Sequence, residues 1–399
     1  MMKRNLLALS LGMLCLSAAA QLNYVPKATS NAITQTNLML KELDAIGIPK
    51  GDLVTPRTLE KGELKLVASK DWCSGFFPGE LWYLYEMGLG AQYKSAAEKY
   101  TAFIEKEKTN GVTHDMGFKV YCSVGNGYRL TKDPHYKDVL IESARTLSTR
   151  FNPKIGLIRS WDHHKEQWDY PVIIDNMLNL ELLFEATKLT GDSSFYKIAV
   201  SHANKTMQHH FRADYSTWHV VDYNPATGIP QKKQTHQGYS DESAWARGQA
   251  WALYGYTMCY RETRDPKYLA QAEHVAAYIF GHPNMPKDLI PYWDFNAPGI
   301  PNEPRDVSAA TVIASGLYEL STYSKKGKSY LAKANTMMKN ITSNYMAAPG
   351  TAKGFILLHS TGSKPSNTEV DAPLSYADYY YLEAMSRALR LSKHKPIVD

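Results

Sequence analysis

Two carboxylates stand out for the company they keep. Asp175 follows Val172, Ile173 and Ile174 and precedes Asn176, Met177 and Leu178. A carboxylate among apolar residues is desolvated, which disfavours its charged form and lifts its pKa toward the range where it can donate a proton at neutral pH. A helix-capping Asp would read the same way locally, so residue types alone leave both roles open. Asp115 lies in Thr113-His114-Asp115-Met116-Gly117-Phe118, where Gly117 would let the backbone approach a ligand closely. Two such carboxylates converging on one pocket could share or relay a proton, as general acid–base chemistry requires.

Other groups suit an oxygen-rich ring that carries a carboxylate. Arg247 and Trp251 close the block that begins at Gln237 and lie four residues apart, on one helical face. A guanidinium and an indole pointing together would take the carboxylate and the apolar face of a sugar. The alternative for Arg247 is a structural ion pair with Asp241 or Glu242. His219, ahead of the turn Asn224–Gly228, is either a satisfied loop histidine or a ligand contact. The segment Trp161-Asp162-His163 adds a further tryptophan. The pairs His163-His164 and His209-His210 cannot face one metal from a single helix, and no His-Glu-x-x-His occurs, so neither a catalytic metal nor a cofactor is expected.

The elements that must position these residues are helices. Period-two alternation is scarce, whereas Asp133-Pro134-His135-Tyr136, Asp192-Ser193-Ser194-Phe195-Tyr196, Asp265-Pro266-Lys267-Tyr268 and Lys328-Ser329-Tyr330 each open an Ala-rich amphipathic run, with Gln92-Tyr93 as a fifth copy. The Asp residues read as N-caps and the prolines as first-turn residues. Apolar helical runs alternate with these, near 75–88, 116–130, 173–190, 242–262, 307–324 and 376–392. Pairing the last run with a helix near 31–46 closes a circle of six inner and six outer helices, an all-α (α/α)6 barrel in which 21–399 form a single catalytic domain. An open superhelical array is the competing arrangement. In the barrel, Trp72, Asp115, Asp175, Glu242, Arg305 and Asp378 all fall near the N-terminal ends of inner helices, at one mouth, where helix dipoles favour an anion.

Composition agrees with a large core: 44% of the 399 residues are apolar and 21% charged, which argues against extended disorder. The 27 Tyr and 8 Trp supply rings for that core and for sugar stacking. A formal charge of +6 is a mild basic excess that suits an anionic substrate and does not indicate nucleic acid. Basic Met1–Arg4, an apolar run from Asn5 to Leu16 and the Ala-x-Ala pattern before Gln21 read as a secretory signal peptide over 1–20. Leu14 before Cys15 argues against lipoprotein processing. The expectation is a soluble exported protein, periplasmic, without membrane insertion. Cys73, Cys122 and Cys259 form neither a disulfide framework nor a zinc pair and read as buried thiols.

Several segments together carry a family resemblance. They are Trp72-Cys73-Ser74-Gly75-Phe76-Phe77-Pro78-Gly79, His114 to Phe118, Ile173-Ile174-Asp175-Asn176, Gln237 to Trp251, and Asp378-Tyr379-Tyr380-Tyr381-Leu382-Glu383-Ala384. The chain resembles glycoside hydrolase family 88, the unsaturated glucuronyl hydrolases, across essentially its whole length beyond residue 20. The resemblance implies an (α/α)6 barrel, Asp175 as general acid/base and Asp115 as a second essential carboxylate. It also implies that Trp72, Trp161, His219, Gln237, Arg247 and Trp251 line a subsite for an unsaturated uronate. The implied substrate is a di- or oligosaccharide left by a polysaccharide lyase, glycosaminoglycan-derived, and the implied reaction is hydration of its C4–C5 double bond. Ser363 and Lys364 fall where some relatives carry a Ser/Lys loop for sulfated sugars, at a different spacing. Two competing functions are an unsaturated rhamnogalacturonyl hydrolase acting on pectin fragments and a catalytically silent glycan-binding protein; retention of Asp115 and Asp175 speaks against the second.

Overall fold

Helices buried on every side alternate with helices buried along one stripe throughout residues 22–398, the part of the chain that the computed structural model describes. In chain order they are α1 (Val25–Ile46), α2 (Phe76–Glu86), α3 (Gln92–Ala102), α4 (Asn126–Thr131), α5 (Pro134–Ser148), α6 (Leu180–Thr190), α7 (Ser193–His209), α8 (Ala246–Thr263), α9 (Pro266–Gly281), α10 (Val307–Leu320), α11 (Gly327–Asn344) and α12 (Ser375–Ser392). The even-numbered helices are the inner ones. In α10 every residue from Val307 to Leu320 is buried, and in α12 every residue from Ser375 to Ala388. The odd-numbered helices bury only one stripe, as Phe195, Ala199, His202, Ala203 and Thr206 do in α7. Helix α12 packs against both α10 and α2, so the inner ring closes as a barrel rather than continuing as an open array.

The helix starts follow the expected chemistry. Asp133, Asp192 and Asp265 each accept a backbone N–H two residues on, capping α5, α7 and α9, and Pro134 and Pro266 occupy the first turns. Three inner runs begin differently from the periodicity. The run from 116 opens as a π-helix, Gly117–Gly125, before α4. The run from 173 opens as a strand followed by a 3-10 turn, Ile174–Leu178, because the β-branched Val172 and Ile173 pair with a neighbouring strand. Helix α8 starts only at Ala246; Glu242 projects into solvent from the preceding loop and faces Arg212, 3.6 Å away, so it is not at the barrel mouth. Arg305 lies ahead of α10 and pairs with Asp288 at 3.2 Å.

Small sheets cover the mouth where the inner helices begin. Strands β1 (Leu53–Glu60) and β2 (Glu63–Ala68) form a hairpin, and β3 (Phe151–Asn152) pairs with β4 (Leu157–Ile158). Strands β5 (Pro171–Ile173), β6 (Val220–Tyr223) and β7 (Pro230–Gln234) form an antiparallel sheet in that order, with Ile173 opposite Val220 and Val221 opposite Lys233. The opposite end of the barrel is filled by ionic and phenolic groups. There Glu383 accepts from Tyr83 and Tyr254 at 3.0 Å each, Arg387 pairs with Glu319 at 3.3 Å, and Arg261 joins Glu319 at 3.0 Å. Buried charges of this kind persist because each finds opposite charge and hydrogen bonds. Cys73, Cys122 and Cys259 are free and buried, as expected.

Candidate active site

A cavity of about 270 Å³ opens at the mouth where the inner helices begin. Trp72, Asp115, Trp161, Asp175, Gln237, Arg247 and Ser363, all singled out by the sequence, line it. So do His114, Phe118, His163, Ile173, His236, Ser366 and Thr368. Several of these adjoin recognised residues, as His236 adjoins Gln237. Adjacency is the signal that could have identified them.

The start of the third inner element explains the position of Asp175. Strand β5 delivers the chain to the mouth, Ile174 N donates to His219 O at 3.0 Å, and the 3-10 turn then swings Asp175 into the cavity. The side chain is 12% exposed and does not cap the turn, which excludes the capping role. Burial pushes its pKa up to about 7; the nearby Arg247 guanidinium opposes the rise, and Asp115 adds to it through like charge. Oδ2 is buried without a hydrogen bond.

Facing that oxygen is His219 Nε2, at 3.6 Å. His219 Nδ1 accepts two backbone N–H groups, from His236 at 3.1 Å and Gln237 at 3.2 Å. Both bonds require a lone pair on Nδ1, so the imidazole's proton sits on Nε2 and points toward Asp175. Burial drives the His219 pKa well below its ordinary value, keeping the ring neutral. The histidine is thus satisfied at Nδ1 only, and contrary to expectation it does not line the cavity: it is buried beside Asp175, with its unpartnered Nε2–H aimed at the reactive carboxyl.

Asp115 occupies the same cavity from the start of the second inner element. Its Oδ2 accepts from Thr113 Oγ1 at 2.5 Å, and its Oδ1 lies 3.2 Å from the buried His114 Nε2. Asn179 Oδ1 accepts from Gly117 N at 2.8 Å and Phe118 N at 3.1 Å, which ties the Asp115 segment to the element carrying Asp175. Gly117 therefore serves packing rather than ligand approach: a Cβ there would fall 2.6 Å from Asn179 Cα.

Arg247 reaches the cavity but is 1% exposed and heavily engaged. Nη1 donates to Asp306 at 2.5 Å and to Thr361 O at 2.7 Å, and Nη2 donates to Gly362 O at 2.6 Å. Its guanidinium sits 4.5 Å from the Trp245 ring centroid and 5.4 Å from that of Tyr376. The ion-pair partner is Asp306, not Asp241 or Glu242. Trp251 does not line the cavity. It is fully buried beneath it, 5.2 Å from Phe118 and 5.5 Å from Tyr380 by ring centroids, because α8 is enclosed on every side. Its indole N–H still lowers the pKa of Asp175 from below.

The remaining expected residues form the walls. Trp161 lies in the loop before β5, stacked on His163 at 5.2 Å and edge-on to His219 at 5.9 Å. Trp72 stands in the turn before α2, 5.5 Å from Phe118 and 4.9 Å from Tyr376. Gln237 Nε2 donates to Gly362 O at 3.0 Å. Ser363 Oγ is 3.0 Å from Ser366 Oγ at the rim, whereas Lys364 does not line the cavity. Asp378 is in the first turn of α12 but outside the cavity: its carboxyl accepts Ile356 N at 2.8 Å and Leu357 N at 2.9 Å. Among the described residues, no group of three His, Cys, Asp or Glu side chains is placed to hold a metal ion.

Comparisons with known proteins point one way. The family model for Glycosyl Hydrolase Family 88 matches residues 53–384. An unsaturated glucuronyl hydrolase of Formosa agariphila is 52% identical over 351 residues, covering 87% of this chain and 86% of that protein. An unsaturated chondroitin disaccharide hydrolase of Streptococcus pyogenes is 32% identical over 345 residues, 85% of this chain and 86% of that protein. Among solved structures, an unsaturated glucuronyl hydrolase specific for heparin superposes with a TM-score of 0.88 at 44% identity, covering 93% of this chain and 98% of that one.

Proposed function

The chain belongs to glycosyl hydrolase family 88 and is a glycoside hydrolase, and from that premise we propose that it removes the 4,5-unsaturated glucuronyl residue from lyase-generated, glycosaminoglycan-derived oligosaccharides by hydrating the C4–C5 double bond. The observation that carries this reading is the placement of Asp175: a buried carboxyl in a cavity shared with a second carboxylate, where burial pushes its pKa up to about 7. Such a group is still protonated near neutrality and becomes a base once its proton is gone, so it can serve both halves of one reaction.

In this mechanism Asp175 delivers its proton to C4, and positive charge develops at C5 and the ring oxygen. The resulting Asp175 carboxylate then takes a proton from water as that water's oxygen bonds to C5. The product is a hemiketal. Its C5–O bond to the ring oxygen breaks, leaving a C5 ketone, and the hemiacetal freed at C1 collapses to an aldehyde and releases the neighbouring sugar. His219, neutral with its Nε2–H aimed at Asp175 from 3.6 Å, is placed to stabilise the negative charge on that carboxylate between the two proton transfers. Asp115 is a second carboxylate, suited to a substrate hydroxyl or the attacking water.

Trp161 and Trp72 supply the aromatic walls against which the ring packs. Ser363 and its neighbours at the rim fit a role in contacting the second sugar. Our reading includes export from the cytoplasm to the periplasm, supported by the leader pattern at residues 1–20, which lie outside the described residues. The test is a panel of lyase-generated disaccharides from chondroitin, hyaluronan, heparin and pectin, followed by loss of the conjugated ultraviolet absorbance. Turnover of glycosaminoglycan disaccharides supports the proposal; turnover of the pectin disaccharide alone would replace it with the rhamnogalacturonyl activity.

A further inference from the structure

Strand β1 runs behind two walls of the cavity and places Arg57 between them. The strand is fixed there by Thr58, whose Oγ1 donates to Pro373 O at 2.6 Å and whose backbone bridges to Leu374. On one side, Arg57 Nη1 grips both oxygens of Asp71, at 3.1 and 2.9 Å. Asp71 immediately precedes Trp72, and its Oδ1 also accepts from Cys73 N at 3.1 Å and the Cys73 thiol at 3.0 Å, fixing the turn that presents Trp72. On the other side, Nε and Nη2 of the same guanidinium grip Glu369, with Nη2 at 3.0 Å from Oε2.

Glu369 immediately follows Thr368 and is 6% exposed at its side chain. Its carboxylate packs against Gly362, where a Cβ would fall 2.4 Å from Oε2, and its backbone O accepts Gly362 N at 2.8 Å. Gly362 O in turn receives Arg247 Nη2 and Gln237 Nε2. One cation therefore joins the wall carrying Trp72 to the wall formed by Ser363, Ser366 and Thr368. None of Arg57, Asp71 and Glu369 lines the cavity itself.

We propose that Arg57 is a positioning residue that sets recognition of the leaving sugar, by holding the segment from Ser360 to Ala372 at a fixed distance from Trp72. The proposal rests on the uronate reading of the cavity. Asp175 and Arg247 are buried, so the unsaturated ring belongs at the floor, whereas Ser366 and Thr368 are exposed at the rim that the next sugar must meet. Fork geometry makes the arginine specific. A lysine keeps the charge but, as a point donor, cannot hold two carboxylates in paired contacts at once. Without the guanidinium, Asp71 and Glu369 face each other as like charges and the rim widens.

The test compares wild type, Arg57→Lys and Glu369→Gln on two substrates: an unsaturated glucuronyl disaccharide and the methyl glycoside of unsaturated glucuronate. Displacement of the rim segment by a fraction of an ångström raises KM for the disaccharide about tenfold with kcat held, whereas KM for the methyl glycoside, which meets the Trp72 wall but not the rim, rises far less. Glu369→Gln retains the Asp71 contact and gives the same split should Arg57→Lys fold poorly. Equal losses on both substrates, or no change on either, would overturn the positioning role. Wild-type protein inert on both would instead overturn the uronate reading, and the inference with it.

Discussion

Asp175→Asn should make the protein more stable as well as inactive, by an amount that depends on pH. Asp175 is buried, and its pKa rises from an ordinary 3.8 to about 7. Between those values the folded state holds a proton that the unfolded chain has given up, so stability falls as pH rises through that window and levels off above it. At about 1.4 kcal/mol for each pH unit of that window, the penalty reaches up to about 4 kcal/mol above pH 7. At pH 5 only about 1.5 kcal/mol of it has developed. The amide of the variant carries no such charge and escapes the penalty at every pH.

With an unfolding entropy of about 2.1 cal/mol/K per residue, 4 kcal/mol corresponds to a Tm gain of about 5 °C at pH 8, shrinking to about 2 °C at pH 5. The assay is differential scanning calorimetry of wild type and variant at matched scan rates across pH 5–8, with turnover measured in parallel. A gain in Tm that grows with pH, together with activity lost by about 10²–10⁴-fold or more, is the expected result. A variant equally stable at all pH values, or less stable at pH 8, would refute the claim that Asp175 is held in a desolvated, raised-pKa site.

The same raised pKa predicts that kcat/KM falls as pH rises above about 7, since the proton donor of the free enzyme is then lost; a profile flat from pH 6 to 9 would contradict it. Arg247→Met removes the partner of Asp306, which is 0% exposed, so it should lower stability by about 3–5 kcal/mol and raise KM for an unsaturated uronate, measurable by denaturant unfolding and initial rates. Retained stability would mean that the ion pair is dispensable. Gly117→Ala drives a methyl group to 2.6 Å from Asn179 Cα, at a cost of about 1–3 kcal/mol, and should also depress kcat by shifting Asp115; wild-type kcat and Tm would show that the segment yields freely.

Much of the scaffold was legible because inner and outer helices are written in different alphabets. Inner helices such as α10 are apolar or small all round, outer ones carry a single stripe, and Asp-Pro starts punctuate them. Asp175 was legible as a candidate because a carboxylate beside Ile174 and Met177 is either capping a helix or facing a ligand, and only the structure, where it caps nothing, decides between the two. Less legible was anything decided by partners distant in sequence. The strand at Pro171–Ile173 forms because β6 pairs with it from about fifty residues away, and local periodicity carries no trace of that. Trp251 shares a helical face with Arg247, yet only Arg247 reaches the cavity, because its longer side chain emerges at the helix start while Trp251 lies a turn deeper in a closed ring. Asp306 as the partner of Arg247 and Glu369 as the partner of Arg57 are separated from them by whole repeats, beyond the reach of spacing arguments.

In the proposed reaction water adds to C5 and not to the anomeric carbon. This is tested most directly by turning over an unsaturated glucuronyl disaccharide in isotopically labelled water and locating the label by rapid mass or NMR analysis, before the opened carbonyl product exchanges its oxygen. Hydration gives early label at C5 of the uronate, loss of the double bond in step with sugar release, and no turnover of a methyl glycoside of saturated glucuronate. Early label at the anomeric carbon with the double bond intact, or comparable turnover of the saturated glycoside, would contradict it and make Asp175 and Asp115 an ordinary acid–base pair straddling a glycosidic bond.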